Sequence, residues 1–372
     1  MQLLLLFSTV AWAAEPSDTA LPEEPKVMAP EAPSIWSRTL TGRASVGYND
    51  NILQEARDPE QSLTLGAGVE ATLIRLPLDG RQVLFDLSGD YTHYLQGDKV
   101  NHEAFLVGLG ELRLDLSPSW QTALALETVF LDQVIDTTIT EDTPTNSLVR
   151  GTGITARPSV RRDWAGAFWM DLSAGVTRQF FRQPFDDYWE AGPKLSVGRD
   201  YGYRSALSLG YSWRLRPYDT RDEVSQDGTD QAGTQLRFQL HELELLWRHN
   251  WDAQRRWRTT TRLDILANRD SGSGYFDYQR YQATEQLRYV AKAWEMKGHV
   301  RLAYYHFTEQ QVSDPDSDLR VKTLVGAGLR AERRLSRYLK LFGDYSYEKS
   351  LSNLGTDEYT VNKVAAGLEC EY

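Results

Sequence analysis

From residue 38 onward the chain alternates apolar and polar positions, and the pattern persists to residue 372. Period-two alternation marks strands with one apolar face. In the stretch 38–51, Leu40, Gly42, Ala44, Val46 and Tyr48 share one face, with Thr41, Arg43, Ser45, Gly47 and Asn49 on the other. In 62–76, Leu63, Leu65, Ala67, Val69, Ala71 and Leu73 oppose Thr64, Gly66, Gly68, Glu70 and Thr72. These stretches run about 12–16 residues. A globular strand is usually half that length, whereas a tilted strand crossing a bilayer needs it. Short turns are expected at 77–80, 117–119, 161–163, 199–202, 250–254, 291–293 and 334–336. Longer polar connections are expected at 53–61, 96–100, 132–146, 183–187, 217–233, 269–274, 309–318 and 351–357.

Short connections on one side and long ones on the other are the asymmetry of a transmembrane barrel. The pattern therefore predicts an all-β fold, an antiparallel up-and-down barrel of about 16 strands with both ends on the periplasmic side. The apolar parity slips at 106–116 and 236–247, which leaves 14 or 18 strands as alternatives and suggests β-bulges there. An aromatic follows most short turns: Trp120, Trp164, Tyr203, Trp257, Trp294 and Tyr338. This suits an interfacial belt. A period of about 40 residues would also suit a β-propeller. A blade, however, packs four short strands into that span, and its core would not accept so charged a polar face.

With one face on lipid, the other lines a lumen. In the second half that face carries Arg214, Arg216, Arg258, Arg262, Arg280, Arg288, Lys297, Arg301, Lys322 and Arg330. In the first half it carries Glu70, Asp86, Asp90, Glu127 and Asp171, with Arg43 and Arg157 among them. Neighbours in sequence are neighbours in a meander barrel, so one wall is expected to be Arg-rich and the opposite wall more acidic. Such a split sets a transverse field that can select charged solutes. The competing reading is that these groups pair with one another and fill the lumen. Asp264, Glu295, Glu332 and Asp344 lie in the basic half and could neutralise part of it.

Composition changes this picture little. The formal charge is −11 and mean hydropathy −0.50 over 372 residues. No run of apolar residues is long enough for a membrane helix, and a barrel needs none because only alternate residues touch lipid. The single cysteine, Cys370, excludes an internal disulfide and a Cys-based metal cage. The six histidines form no metal-type pair, and no G-x-S-x-G is present. No metal, cofactor or enzymatic activity is expected. Asp219, Asp222, Glu223, Asp227 and Asp230 are either a solvated acidic loop or a cation-binding one at the lipopolysaccharide surface.

Residues 1–13 resemble a secretory signal peptide: Leu3 to Phe7 are apolar and Ala11-Trp12-Ala13 offers a cut. The basic flank is missing, so the natural start is expected upstream. Residues 14–35 are Pro-rich and acidic and predict a disordered periplasmic lead. The barrel is then 36–372.

Two stretches carry family resemblances. Val364, Ala366, Leu368, Cys370 and Tyr372 form an apolar face ending on an aromatic. This resembles the closing strand of bacterial outer-membrane β-barrels and is similar to their assembly signal. The stretch Gly42-Arg43-Ala44-Ser45-Val46-Gly47-Tyr48-Asn49-Asp50-Asn51-Ile52-Leu53 resembles the opening of an outer-membrane β-barrel porin family of the exopolysaccharide-associated type, with Asn49 where an acid is commoner. The resemblance implies the outer membrane of a Gram-negative bacterium. The basic lumen track predicts passage of hydrophilic, anionic solutes, and the resemblance, to barrels found with exopolysaccharide export, adds polysaccharide; a plugged surface-interaction barrel is the alternative. The implied partners are outer-membrane lipids and lipopolysaccharide, the barrel assembly machinery and a periplasmic export component. No nucleic acid is expected.

Overall fold

The computed structural model describes residues 34–77, 79–137, 139, 146–312 and 318–372. The expected signal peptide, and the expected lead up to residue 33, lie outside the described residues. The strands are β1 (Trp36–Asn49), β2 (Ser62–Arg75), β3 (Arg81–Tyr94), β4 (His102–Ser117), β5 (Trp120–Asp136), β6 (Asn146–Trp164), β7 (Phe168–Phe181), β8 (Tyr188–Tyr201), β9 (Ser205–Pro217), β10 (Glu223–Val224), β11 (Asp230–Gln231), β12 (Arg237–Asn250), β13 (Trp257–Asp270), β14 (Tyr278–Val290), β15 (Trp294–Gln311), β16 (Leu319–Arg334), β17 (Leu339–Ser352) and β18 (Tyr359–Glu371). All but β10 and β11 close into one antiparallel barrel of sixteen strands, in which each pairs with its neighbour along the chain. β10 and β11 form a small ribbon inside the connection between β9 and β12.

Closure is made by β1 and β18, in register from Thr41 opposite Glu371 to Asn49 opposite Lys363. Leu40 and Tyr372 extend this ladder by exchanging both backbone hydrogen bonds, at 3.0 and 2.8 Å. A closed sheet leaves no unpaired edge, so every strand can satisfy its backbone in hydrocarbon.

The outward face is a lipid belt. Leu40, Val46, Leu65, Leu126, Leu172, Val197, Leu209, Ile265, Val300, Leu329 and Leu368 are all exposed. Two aromatic girdles flank it: Trp36, Trp120, Trp164, Tyr203, Trp257 and Trp294 at the turn end, and Tyr91, Phe180, Trp189, Trp213, Tyr281 and Tyr304 toward the loops. Trp294 and Tyr304 are ten residues apart on β15. At about 3.3 Å per residue and a tilt of roughly 40°, that distance spans ~25 Å of membrane. Exposed apolar surface on this scale is stable only in lipid. The protein is a membrane-spanning β-barrel.

Two expected turns move. β6 runs on to Trp164 and β8 to Tyr201, so the polar runs 161–163 and 199–202 belong mostly to strand ends. Their charges sit at the membrane interface: Arg162 stacks on Trp120 and Trp164, and Arg199 on Phe168. The turn itself falls at Gly166 and Ala167, both in the left-handed region (φ +79° and +62°), as a tight hairpin requires.

The parity slips also have another cause. β12 keeps unbroken register with both neighbours. In β4 the register shifts only at the turn end, between Asp115 and Ser117. The slips arise because Phe238 and Leu240 on β12, and Val107 and Leu109 on β4, put apolar side chains on the inner face. A bulge does occur between His306 and Gln311, where the sequence pattern showed nothing. The expected connection 132–146 is shorter than its polar composition suggested, since β5 continues to Asp136.

Candidate functional site

The side chains opposite the lipid belt line the lumen. On β13 to β16 the basic ones stand in register. Arg258 lies opposite Arg288, Arg288 opposite Lys297, and Lys297 opposite Arg330. Above this rung, Thr284 stands between Arg262 and Arg301. Higher still, Tyr305 stands between Arg280 and Lys322. Strict two-residue alternation makes these rungs, because side chains at the same parity in paired strands must meet on the same face.

Carboxylates are interleaved with the rungs. Glu295 accepts from Arg288 (2.8 Å) and Lys297 (3.1 Å). Arg330 donates to Glu332 (2.6 Å), Asp344 (2.8 Å) and Glu369 (2.8 Å). Arg262 pairs with Glu244, and Arg301 with Glu348 at 3.2 Å. Arg280 reaches Asp264 and Glu242. On β9, Arg216 binds Glu190 at 2.5 Å, and Arg214 lies between Glu242 (3.0 Å) and Glu190 (3.8 Å). The expected acidic wall is interleaved too. Arg43 bridges Glu70 and Asp90, Thr72 donates to Asp86 at 2.7 Å, and Arg157 lies 3.9 Å from Glu127. Asp171 stands opposite Arg161 across β6 and β7. The walls are therefore mixed in charge rather than of opposite sign.

Hydration divides the lumen. The side chains of Glu70 and Asp90 are 54% and 52% exposed, although they face inward. Under the loops, on the β8–β18 side, the interior is dry. Tyr188, Tyr218, Phe238, Phe276, Tyr278, Tyr305, Phe307 and Tyr359 pack there with Val224, Leu236 and Ile139. Ring centroids follow one another at 5.5 Å (Tyr188–Tyr218), 5.4 Å (Tyr218–Phe238) and 5.7 Å (Phe238–Phe276), the edge-on contacts aromatic quadrupoles prefer. Arg216 and Arg320 lie over Tyr188 and Phe307 at 4.5 and 4.6 Å. Arg320 is itself held by Asp357 and Gln310.

The mouth is crossed by the β5–β6 hairpin. At 17 and 19 residues these strands outrun most of the barrel. Beyond Leu131 both faces of β5 are buried: Asp132, Val134 and Ile135 are all covered. Its last residue, Asp136, receives the Lys322 ammonium. β5 and β16 are seven strands apart by one route round the barrel and nine by the other, so this ion pair spans the lumen. Lys322 is 0% exposed. The pattern on the sequence placed Lys322 inward but did not reveal Asp136 or the aromatic cap. The parity slips at 106–116 and 236–247 were the available signal.

The five residues 364–372 of the closing strand all face lipid, and Tyr372 is the most exposed of them. Among the described residues no group of three or more His, Cys, Asp or Glu is arranged to hold a metal.

No protein-family model matches the chain, and no curated protein matches it. Among solved structures it is similar to OccAB1 of Acinetobacter baumannii, at 8% identity and a TM-score of 0.48, covering 91% of this chain and 96% of that one. OccAB4 of the same organism aligns at 10% identity and 0.47, covering 91% and 98%. The outer membrane protein opdK of Pseudomonas aeruginosa aligns at 10% and 0.45, covering 90% and 99%.

Proposed function

We propose that the protein is a channel for small hydrophilic solutes bearing anionic groups, latched at its outer mouth by the β5–β6 hairpin. The lowest rung carries this reading: Arg258, Arg288, Lys297 and Arg330 are in register on four adjacent strands. The side chains of Arg288, Lys297 and Arg330 are 30%, 30% and 21% exposed to lumen water. Because carboxylates partner the row, an anion enters by exchanging with Glu295 or Glu332 rather than by falling into a bare positive field. The selectivity expected is modest.

Planar-bilayer recording tests this. Wild type should open rarely, with a reversal potential biased toward anions, and the pair Arg288→Glu and Lys297→Glu should reverse the bias. Cation preference in wild type would overturn the anion assignment. Silence both in wild type and in a latch-broken Lys322→Ala variant would overturn the channel.

The ion pair across the lumen favours a second reading, a plugged barrel that presents its loops to a surface partner. It predicts no flux even with the latch broken. Polysaccharide passage, the cargo suggested by the resemblance of the first strand, is a variant of the channel reading and would require the whole cap to move.

A further inference from the structure

Among the described outward-facing positions between the girdles, one carries an acid. Glu285 on β14 is exposed and lies four residues from Tyr281 toward the loops and four from Tyr289 toward the turns. Across the ladder it stands opposite Thr261 on β13 and Val300 on β15. Val300, Leu263, Leu287 and Leu302 around it are exposed belt residues. A carboxyl group at this depth faces hydrocarbon, where polar groups are costly and mark function. Thr261 donates to its Oε2 at 2.5 Å. The flanking residues are small: Ala283 beside it on β14, and Gly298 on β15, where an added Cβ would meet nothing closer than 3.8 Å. Small residues let two membrane surfaces approach closely, and polar groups then bond across the contact.

We propose that the outer face of β13–β15 is an intramembrane contact with a second copy of this chain, centred on Glu285. The patch is complementary to itself. Both copies stand upright in one membrane, so the symmetry axis runs along the membrane normal and residues of equal depth meet. Thr261 and Glu285, paired directly across β13 and β14, share a depth. Each Glu285 can therefore exchange the hydroxyl it takes from its own Thr261 for that of the other copy's Thr261, a reciprocal swap in which every hydroxyl still donates once. This contact is independent of whether the lumen conducts.

The test uses full-length protein in lipid bilayers, with Cys370→Ser to remove the native thiol. Ala283→Cys should cross-link to itself with a short bifunctional thiol reagent, and native mass spectrometry from mild detergent should show more than one copy. Glu285→Gln keeps a planar head with an acceptor oxygen for the Thr261 hydroxyl and should keep the oligomer. Glu285→Leu should weaken association at least tenfold, while heat-modifiable migration on gels shows the barrel still folded. Monomeric wild type, failure of the Ala283→Cys variant to cross-link, or undiminished association in Glu285→Leu would each overturn the proposal. Monomers that carry a bound lipid would assign the patch to lipid instead and overturn it equally.

Discussion

At the scale of single residues, the most consequential contact is Lys322 with Asp136, since it ties opposite walls together in a dry setting. Removing one partner of a buried pair leaves the other uncompensated, at a cost of roughly 3–5 kcal/mol. Lys322→Ala is expected to free the β5–β6 hairpin and raise channel activity while the barrel remains folded. Lys322→Met with Asp136→Leu should restore the latch, because apolar groups of similar volume suit that site. Protection of the β5–β6 hairpin from proteolysis reads both outcomes. A second residue sets a pH response. Asp277, in the connection after β13, has its carboxyl pushed up to about 6, chiefly by burial, with the nearby Asp270 charge adding to the effect. Its Oδ1 accepts the Asp270 amide at 2.6 Å, and Asp270 in turn accepts from Gly272, Gly274 and Phe276, a ring of the cap. A folded-state value above the ordinary 3.8 means that this corner is most stable at low pH. Its stability falls as pH rises from about 4 through 6. Hydrogen exchange in 270–277, corrected for intrinsic rates, should speed up on going from pH 5 to pH 7. Asp277→Asn should abolish that pH dependence.

At the scale of elements, alternation decided nearly everything about the wall. Which residues face lipid and which face the lumen follows from parity, and Arg214 through Arg330 all stand inward as the pattern required. Strand ends were less legible. The charged runs at 161–163 and 199–202 read as turns because membrane interfaces and turns recruit the same residue types for different reasons: one holds arginines over aromatics, the other needs left-handed backbone. β18 illustrates an element whose role depends on its pairing. It meets β1 through Thr41 to Asn49, and Tyr372 adds the last pair of backbone bonds with Leu40. Tyr372→Asp would place a charge on the lipid face beside the turn-end girdle. Slower membrane assembly is expected, with unchanged conductance in the molecules that do insert. Normal insertion kinetics into vesicles with the assembly machinery would refute this role for the strand.

At the scale of the whole molecule, the barrel is a hydrophilic cavity roofed by a small hydrophobic core. Its wall and its roof obey different rules. The wall is repetitive, each strand pairing its backbone only with its two neighbours, so period-two alternation over twelve or more residues determines which side chains face inside and which outside. The sequence alone therefore pointed to a transmembrane barrel of about sixteen strands with short turns at one end and long loops at the other, and the closed sheet decided sixteen against fourteen or eighteen. It also placed Arg214 to Arg330 of the basic track on the inner face, but passed over Lys194 and Lys340, which pair inside with Glu244 and Glu369. The sequence could not determine what those residues touch. A basic side chain pointing inward looks the same in sequence whether it meets water, as Arg157 largely does, or a carboxylate from across the barrel, as Lys322 does. Only the tertiary structure decided that the rungs are interleaved with acids and that aromatics from β8 to β18 converge under the loops. It alone decided that the loop end of β5, seven strands away, reaches across to Lys322. The reason is physical: parity is local and accumulates residue by residue, whereas contact across a lumen depends on closure, loop path and packing summed over the whole chain.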